Sequence, residues 1–153
     1  VPAAVEVLVE TMIDREVAEV AASAGDPSKA PQWYANIRSV DWVTPPPQAV
    51  GSRVAFVAGS SADASRMYEV TENAPGERLV MQTDGRPFPM RTAYTWEAVG
   101  PMRTRMTLSN SGRPSGFVAM GSAVLARAIR TATTKDLARL KALMESDGQG
   151  LLR

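Results

Sequence analysis

Apolar and polar positions alternate along most of the chain, then change period near residue 115. VEVLVETM (Val5–Met12) puts Val5, Val7 and Val9 on one face and Glu6 and Glu10 on the other, as in a half-buried strand. Asp14 then offers an N-cap, and Val17, Val20, Ala21 and Ala24 follow at helical spacing until Gly25 ends the run. Asp26 caps again, with Pro27 at the first helical position, where its missing N–H costs nothing. A second short helix is predicted to about Ala35, and Pro31 is tolerated because it falls near the first turn. Trp33 and Tyr34 on that helix supply bulk to pack inward.

Strand and turn patterns follow. RSVDWV ends at Pro45-Pro46-Pro47, which cannot donate ladder hydrogen bonds. SRVAFVA pairs Val54 with Phe56 on one face, and SRMYEVTE pairs Tyr68 with Val70. Pro75-Gly76 makes a turn, RLVMQT is a strand, and Asp84-Gly85 centres a loop. MRTAYTWEAV alternates Met90, Thr92, Tyr94 and Trp96 against Arg91, Ala93, Thr95 and Glu97. TRMTLSN alternates Met106 and Leu108 against Arg105, Thr107 and Ser109. These segments predict about seven strands, the last six joined as an antiparallel meander. The small polar stretch AGSSADAS (58–65) predicts an open or flexible hairpin.

From Ser115 the period becomes that of a helix. Phe117, Met120, Val124, Ala128, Ile129, Ala132, Leu137, Leu140 and Leu143 predict one apolar side. Arg127, Arg130, Lys135, Arg139 and Glu145 mostly fall off it. The expectation is one long helix over 115–146 and a frayed tail, 147–153. The fold class is therefore α+β: a curved antiparallel sheet, two short helices, and a long C-terminal helix laid across it. Helix and sheet are each half apolar and bury those faces together, with a cavity wherever the curved sheet leaves the faces apart.

Composition narrows the chemistry more than it names it. The 153 residues make one domain, 1–153, large enough for a substantial core. The 17 basic and 16 acidic side chains are scattered, so no basic stripe points to nucleic acid. With no cysteine and no histidine, thiol nucleophiles, His-based triads and the commonest metal ligands are excluded. Without His, Cys or a clustered Asp/Glu loop no metal is expected, and without a Gly-x4-Gly-Lys phosphate loop no cofactor is expected either. The opening lacks a basic n-region and no apolar run reaches membrane-span length, which gives an expectation of a cytoplasmic monomer or homodimer without a membrane span.

The order of motifs resembles the helix-grip fold of the START/Bet v 1-like (SRPBCC) superfamily, and most closely its bacterial polyketide cyclase/dehydrase-like members. The resemblance rests on IDREVAEVAASAGDPSKAPQWY, YEVTENAPGERLVMQT, YTWEAVGPMRTRMTL and KDLARLKALMES, which together span nearly the whole chain. Glu16 departs from it, since proline often follows the Asp-Arg pair there. The resemblance implies binding of a small hydrophobic molecule, lipid-, sterol- or polyketide-like, in a central cavity. Some members instead cyclise or dehydrate polyketides without a metal, as lyases or isomerases, and others serve as interaction modules.

The residues expected to face that cavity are Trp33, Phe56, Tyr68, Met81, Phe88, Met90, Tyr94, Met106, Phe117, Met120 and Val124, with Thr92 and Arg66 as polar members. The eight methionines suit an irregular ligand. The plain alternative is a filled core. Arg66 shares Tyr68's side of its strand and is placed to hold a carboxylate, enolate or phosphate, unless it simply reaches solvent at the hairpin end. Arg66, Tyr68 and Tyr94 are the candidates for catalysis. Glu6, Glu10, Glu69 and Glu97 are assigned to a solvated strand face.

Overall fold

The computed structural model describes residues 5–58, 65–83, 88–114 and 121–150. In chain order the elements are β1 (Val5–Ile13), α1 (Val17–Ala24), a 3-10 turn (Pro27–Lys29), α2 (Ala30–Trp33), β2 (Ser39–Trp42), β3 (Arg53–Val57), β4 (Ser65–Ala74), β5 (Arg78–Thr83), β6 (Met90–Gly100), β7 (Arg103–Gly112) and α3 (Ser122–Gly150). The strands form one curved, open antiparallel sheet in the order β1-β7-β6-β5-β4-β3-β2. Strands β2 to β7 are thus a meander, and β1 returns to lie beside β7. The fold is α+β, as the alternation and its change of period predict, in the helix-grip arrangement that the resemblance implies.

The long helix explains how the β1 edge is protected. An edge strand presents unpaired carbonyls and amides. Here α3 lies along β1, and Arg130 Nη1 donates to Leu8 O at 3.0 Å while Lys141 Nζ donates to Met12 O at 2.6 Å. At the far end Glu145 Oε2 accepts from Asp14 N at 2.9 Å and from Lys141 Nζ at 2.6 Å. Leu137, Leu140 and Met144 enter the main core beside Ile13, Val20, Trp33, Met106 and Leu108. Nearer its start, Leu125, Ala126 and Ile129 cover a second cluster of Val5, Val7 and Phe88.

Several local expectations are corrected. Asp14 does not cap α1: the cap position is Glu16, without a side-chain cap bond, and the Asp14 N–H is committed to Glu145. Asp26 does cap, accepting from Ser28 N at 2.9 Å, but the turn it opens is 3-10 and the following helix stops at Trp33, short of Ala35. The long helix runs on to Gly150, past the predicted end at 146. Its predicted start, the hairpin tip at 59–64, and Phe117 and Met120 lie outside the described residues.

The inward stripe of α3 is also displaced. Val124 is 74% exposed, and Ala128 and Ala132 are exposed as well. The buried line is instead Thr133, Asp136, Leu137, Leu140 and Met144. Two polar residues occupy inward positions, so apolar periodicity alone selected the neighbouring rows. Among the described residues no helix is long and apolar enough to cross a membrane.

Candidate functional site

The chain has three tyrosines, and the fold brings all of them to the concave side of the sheet. Tyr94 stands in the middle of β6, opposite Leu79 and Leu108, because its strand alternates inward at Thr92, Tyr94 and Trp96. Tyr34 comes from the other side, as the residue ending α2. Their hydroxyls meet at 2.6 Å. Trp33 stacks on Tyr34 with centroids 4.0 Å apart and meets Tyr94 edge-on at 6.4 Å, while Trp96 stacks on Tyr94 at 6.1 Å. The stacked wall fixes both phenol rings. Trp33 Nε1 and Trp96 Nε1 are buried with no hydrogen-bond partner among the described residues.

Asp136 on α3 positions Tyr34. Its Oδ1 accepts from Ala35 N at 3.1 Å and from Arg139 Nη1 at 3.3 Å, and the same Nη1 donates to Trp33 O at 2.8 Å. The end of α2 is thereby tied to the long helix on both sides of Tyr34. Burial raises the Asp136 carboxyl above the usual aspartate range, and the Ala35 N–H and Arg139 oppose that rise.

Tyr68 on β4 is the third phenol. Its ring meets Phe56 edge-on at 5.6 Å, and Arg66 and Thr92 lie beside its hydroxyl. Thr92 Oγ1 in turn donates to Asn110 Oδ1 at 2.8 Å. The Arg66 charge and the Thr92 hydroxyl lie close enough to Tyr68 to favour its ionised form, against the effect of burial. The result is a polar line across the concave face from β4 to β7.

All three phenols are raised above the ordinary tyrosine value, first by burial. Tyr34 and Tyr94 are pushed furthest, with the nearby Asp136 carboxylate adding to the effect, whereas the Arg66 charge pulls Tyr68 back. The three are therefore neutral hydrogen-bond donors near neutral pH, not phenolate bases. Two hydroxyls joined by one hydrogen bond also leave one proton uncommitted between Tyr34 and Tyr94.

The residues expected to share one cavity divide into two groups. Trp33, Phe56, Met81, Tyr94 and Met106 are buried in the main core, with Tyr68 packed against it. Phe88 and Met90 belong to the smaller cluster under the start of α3. Arg66 is exposed, with its charge beside Tyr68. Val124 faces away from both groups. Glu6, Glu10, Glu69 and Glu97 are exposed, and Glu69 and Glu97 pair with Arg53 at 3.2 Å and Arg105 at 3.3 Å. The alternation places these acids correctly on the outer face. Among the described residues no cluster of His, Cys, Asp or Glu could hold a metal.

Two members of the cluster escape the sequence reading: Asp136, and the role of Tyr34 beyond packing. A signal for Asp136 exists. It lies in helical register with Ile129, Thr133, Leu140 and Met144, so a carboxylate falls in the line that the helix buries.

Two hollows of ligand size adjoin this core. One, of about 640 Å³, lies between α1 and the sheet end near Trp42, Gln48 and Trp96. The other, of about 590 Å³, runs along α3 past Asp136 to Ala35 and Asn36. Neither has both the sheet and the long helix as walls.

Residues 4–145 match the sequence pattern described as polyketide cyclase / dehydrase and lipid transport. The chain belongs to that family. No curated protein matches it. Among solved structures, the di-domain ARO/CYC BexL from the BE-7585A biosynthetic pathway superposes with a TM-score of 0.76 at 21% identity, over 92% of this chain and 46% of that one. The chain thus spans about half the length of that di-domain protein. Zhui aromatase/cyclase from Streptomyces sp. R1128 superposes with a TM-score of 0.74 at 10% identity, over 94% of each chain. Protein CV1439 from Chromobacterium violaceum gives 0.67 at 17%, covering 92% of this chain and 97% of that one. At such identities the likeness is one of fold. It agrees with the family's helix-grip architecture.

Proposed function

We propose that this polyketide cyclase/dehydrase-family protein binds an oxygen-bearing hydrophobic molecule, polyketide-like, at the phenol cluster on the concave side of the sheet. The observation that carries this reading is the convergence of three neutral phenols on one apolar wall, with a phenolic proton left over between Tyr34 and Tyr94. An apolar pocket with a few placed polar groups orients a ligand through those groups. Donors of this kind suit carbonyl or quinone oxygens, and the stacked Trp33 and Trp96 suit a flat ring system.

The test compares 1,8-dihydroxyanthraquinone with anthracene by quenching of tryptophan fluorescence. The expected result is binding of the quinone at least about tenfold tighter, the effect of about one net hydrogen bond. The Tyr34→Phe/Tyr94→Phe variant should remove that preference. Equal binding of the two probes by the wild-type protein would make the phenols purely structural.

A second reading, cyclisation or dehydration of a polyketide, is favoured by the Arg66 charge beside Tyr68. In ring closure an enol carbon attacks a ketone carbon, and the ketone oxygen gains a proton as the enol oxygen loses one to water. Tyr68 would donate, and Arg66 would stabilise the developing oxyanion. The pocket's larger contribution would be to fold the chain so that the reacting carbons meet. Undiminished turnover of a β-polyketone by Arg66→Ala, Tyr68→Phe and Tyr94→Phe combined would reject these roles.

A further inference from the structure

The displaced stripe of α3 leaves two neighbouring helix rows exposed except where the first ends on the buried Asp136. One row is Val124, Ala128, Ala132 and Asp136; the other is Arg127, Thr131, Lys135 and Arg139. Each is spaced by four residues, so each forms a ridge along the helix, about 18 Å long at 1.5 Å per residue. All eight residues line the hollow of about 590 Å³, whose remaining wall is Ala35 and Asn36.

The two rows differ in character. The first is apolar until it reaches Asp136, which is buried and engaged by Ala35 and Arg139. Val124 on it is the most exposed large hydrophobic side chain among the described residues, at 74%. The second row carries three cations. Arg139 is tied to Trp33 O and Asp136, but Arg127 and Lys135 form no side-chain ion pair or hydrogen bond among the described residues. Elsewhere the cations Arg15, Arg53, Arg91, Arg105 and Lys141 each pair with an acid. The apolar row is therefore flanked by two cations that no acid of the described residues neutralises.

We propose that this groove docks an acidic amphipathic helix of a partner protein. The apolar side of such a helix would cover Val124, Ala128 and Ala132, where the alanines let a backbone approach closely, and its carboxylates would meet Arg127 and Lys135. Charge complementarity selects an acidic partner and speeds its encounter. The groove lies on the outer flank of α3, so this reading does not depend on the ligand proposed above.

The experiment uses an 18-residue peptide of leucine and glutamate in helical register, capped at both ends and fluorescently labelled, followed by anisotropy with the full chain. The expected result is salt-sensitive binding, weakened at least about tenfold by Arg127→Glu/Lys135→Glu and likewise by Ala132→Trp, which fills the groove without changing its charge. Lys29→Glu/Arg53→Glu makes the same change of net charge elsewhere and should alter affinity less than about twofold. All substituted side chains are exposed, and circular dichroism checks that each variant is folded. Equal binding of a scrambled peptide, or indifference to Ala132→Trp, would overturn the proposal in favour of unspecific charge attraction. Absence of peptide binding would overturn it too, as would preferential binding to phosphatidylglycerol vesicles or self-association blocked by Ala132→Trp.

Discussion

The Tyr34–Tyr94 contact joins the end of α2 to β6 through a pair of hydroxyl oxygens 2.6 Å apart. Removing one hydroxyl leaves the other buried without its partner, which costs about 1–3 kcal/mol. Removing both leaves two apolar rings on an already apolar wall. We therefore expect Tyr34→Phe and Tyr94→Phe each to lower stability to urea, and the double variant to fall well short of the sum. Additive losses would show that the hydroxyls do not act as a pair. The same residues set the alkaline limit. Their folded pKa values lie above the unfolded value of about 10, so this contribution is whole below pH 10 and is lost as pH rises beyond it. Absorbance at 295 nm should accordingly stay low in the folded protein at pH 10.5 and rise with unfolding. Tyrosinate appearing while the circular dichroism is native would contradict the burial.

At the scale of elements, α3 shows what a single sequence reveals and what it conceals. Its existence is legible in the change of period, and so is its burial through Leu137 and Leu140. Its rotation is not, because Thr133 and Asp136 face inward while Val124, Ala128 and Ala132 face out, and hydrophobicity ranks those positions in the opposite order. Asp136 faces inward because Ala35 N and Arg139 compensate its burial, and both partners are set by tertiary structure. The contrast is measurable. Leu137→Ala should cost about 2–4 kcal/mol and Val124→Ala less than about 0.5 kcal/mol in chemical denaturation. Comparable losses would restore the stripe that periodicity predicts. The far end of α3 has a separate signature. Burial works to raise the Glu145 carboxyl, but Lys141 and the Asp14 N–H outweigh it and hold it below the usual glutamate range. This contribution is present above an unfolded pKa of about 4.3 and fades as pH falls through the lower folded value. Asp136, with a raised carboxyl, works in the opposite sense. Glu145→Gln should therefore destabilise the protein at pH 7 but hardly at pH 3, measured as urea midpoints, and an equal loss at both would mean that charge is not the cause.

For the molecule as a whole, the sheet was the most legible part because each strand writes its own faces locally and short turns leave a meander little choice of order. The candidate site was less so, since it is assembled from α2, β4, β6 and α3, and alternation cannot say which inward residues meet. Tyr68 and Tyr94 could be read as inward from their strands, but their link to Tyr34 and Asp136 needed the packed structure. That assembly has a consequence for ligand binding. A molecule held by Tyr34 and Tyr94 would touch α2 and β6 together, and through Asp136 would be coupled to α3. It should therefore stabilise the domain as one unit, by about 2.7 kcal/mol at a hundred times its dissociation constant. For a domain of this size that is a rise of roughly 5–10 °C in the melting temperature, at about 2–4 °C per kcal/mol. With 1,8-dihydroxyanthraquinone we expect a single transition that moves upward with concentration, monitored by far-ultraviolet circular dichroism and by tryptophan fluorescence. Tyr34→Phe/Tyr94→Phe should melt as one transition that the quinone moves much less. A shift seen by only one probe, or one of equal size in that variant, would place the quinone somewhere other than the phenol cluster.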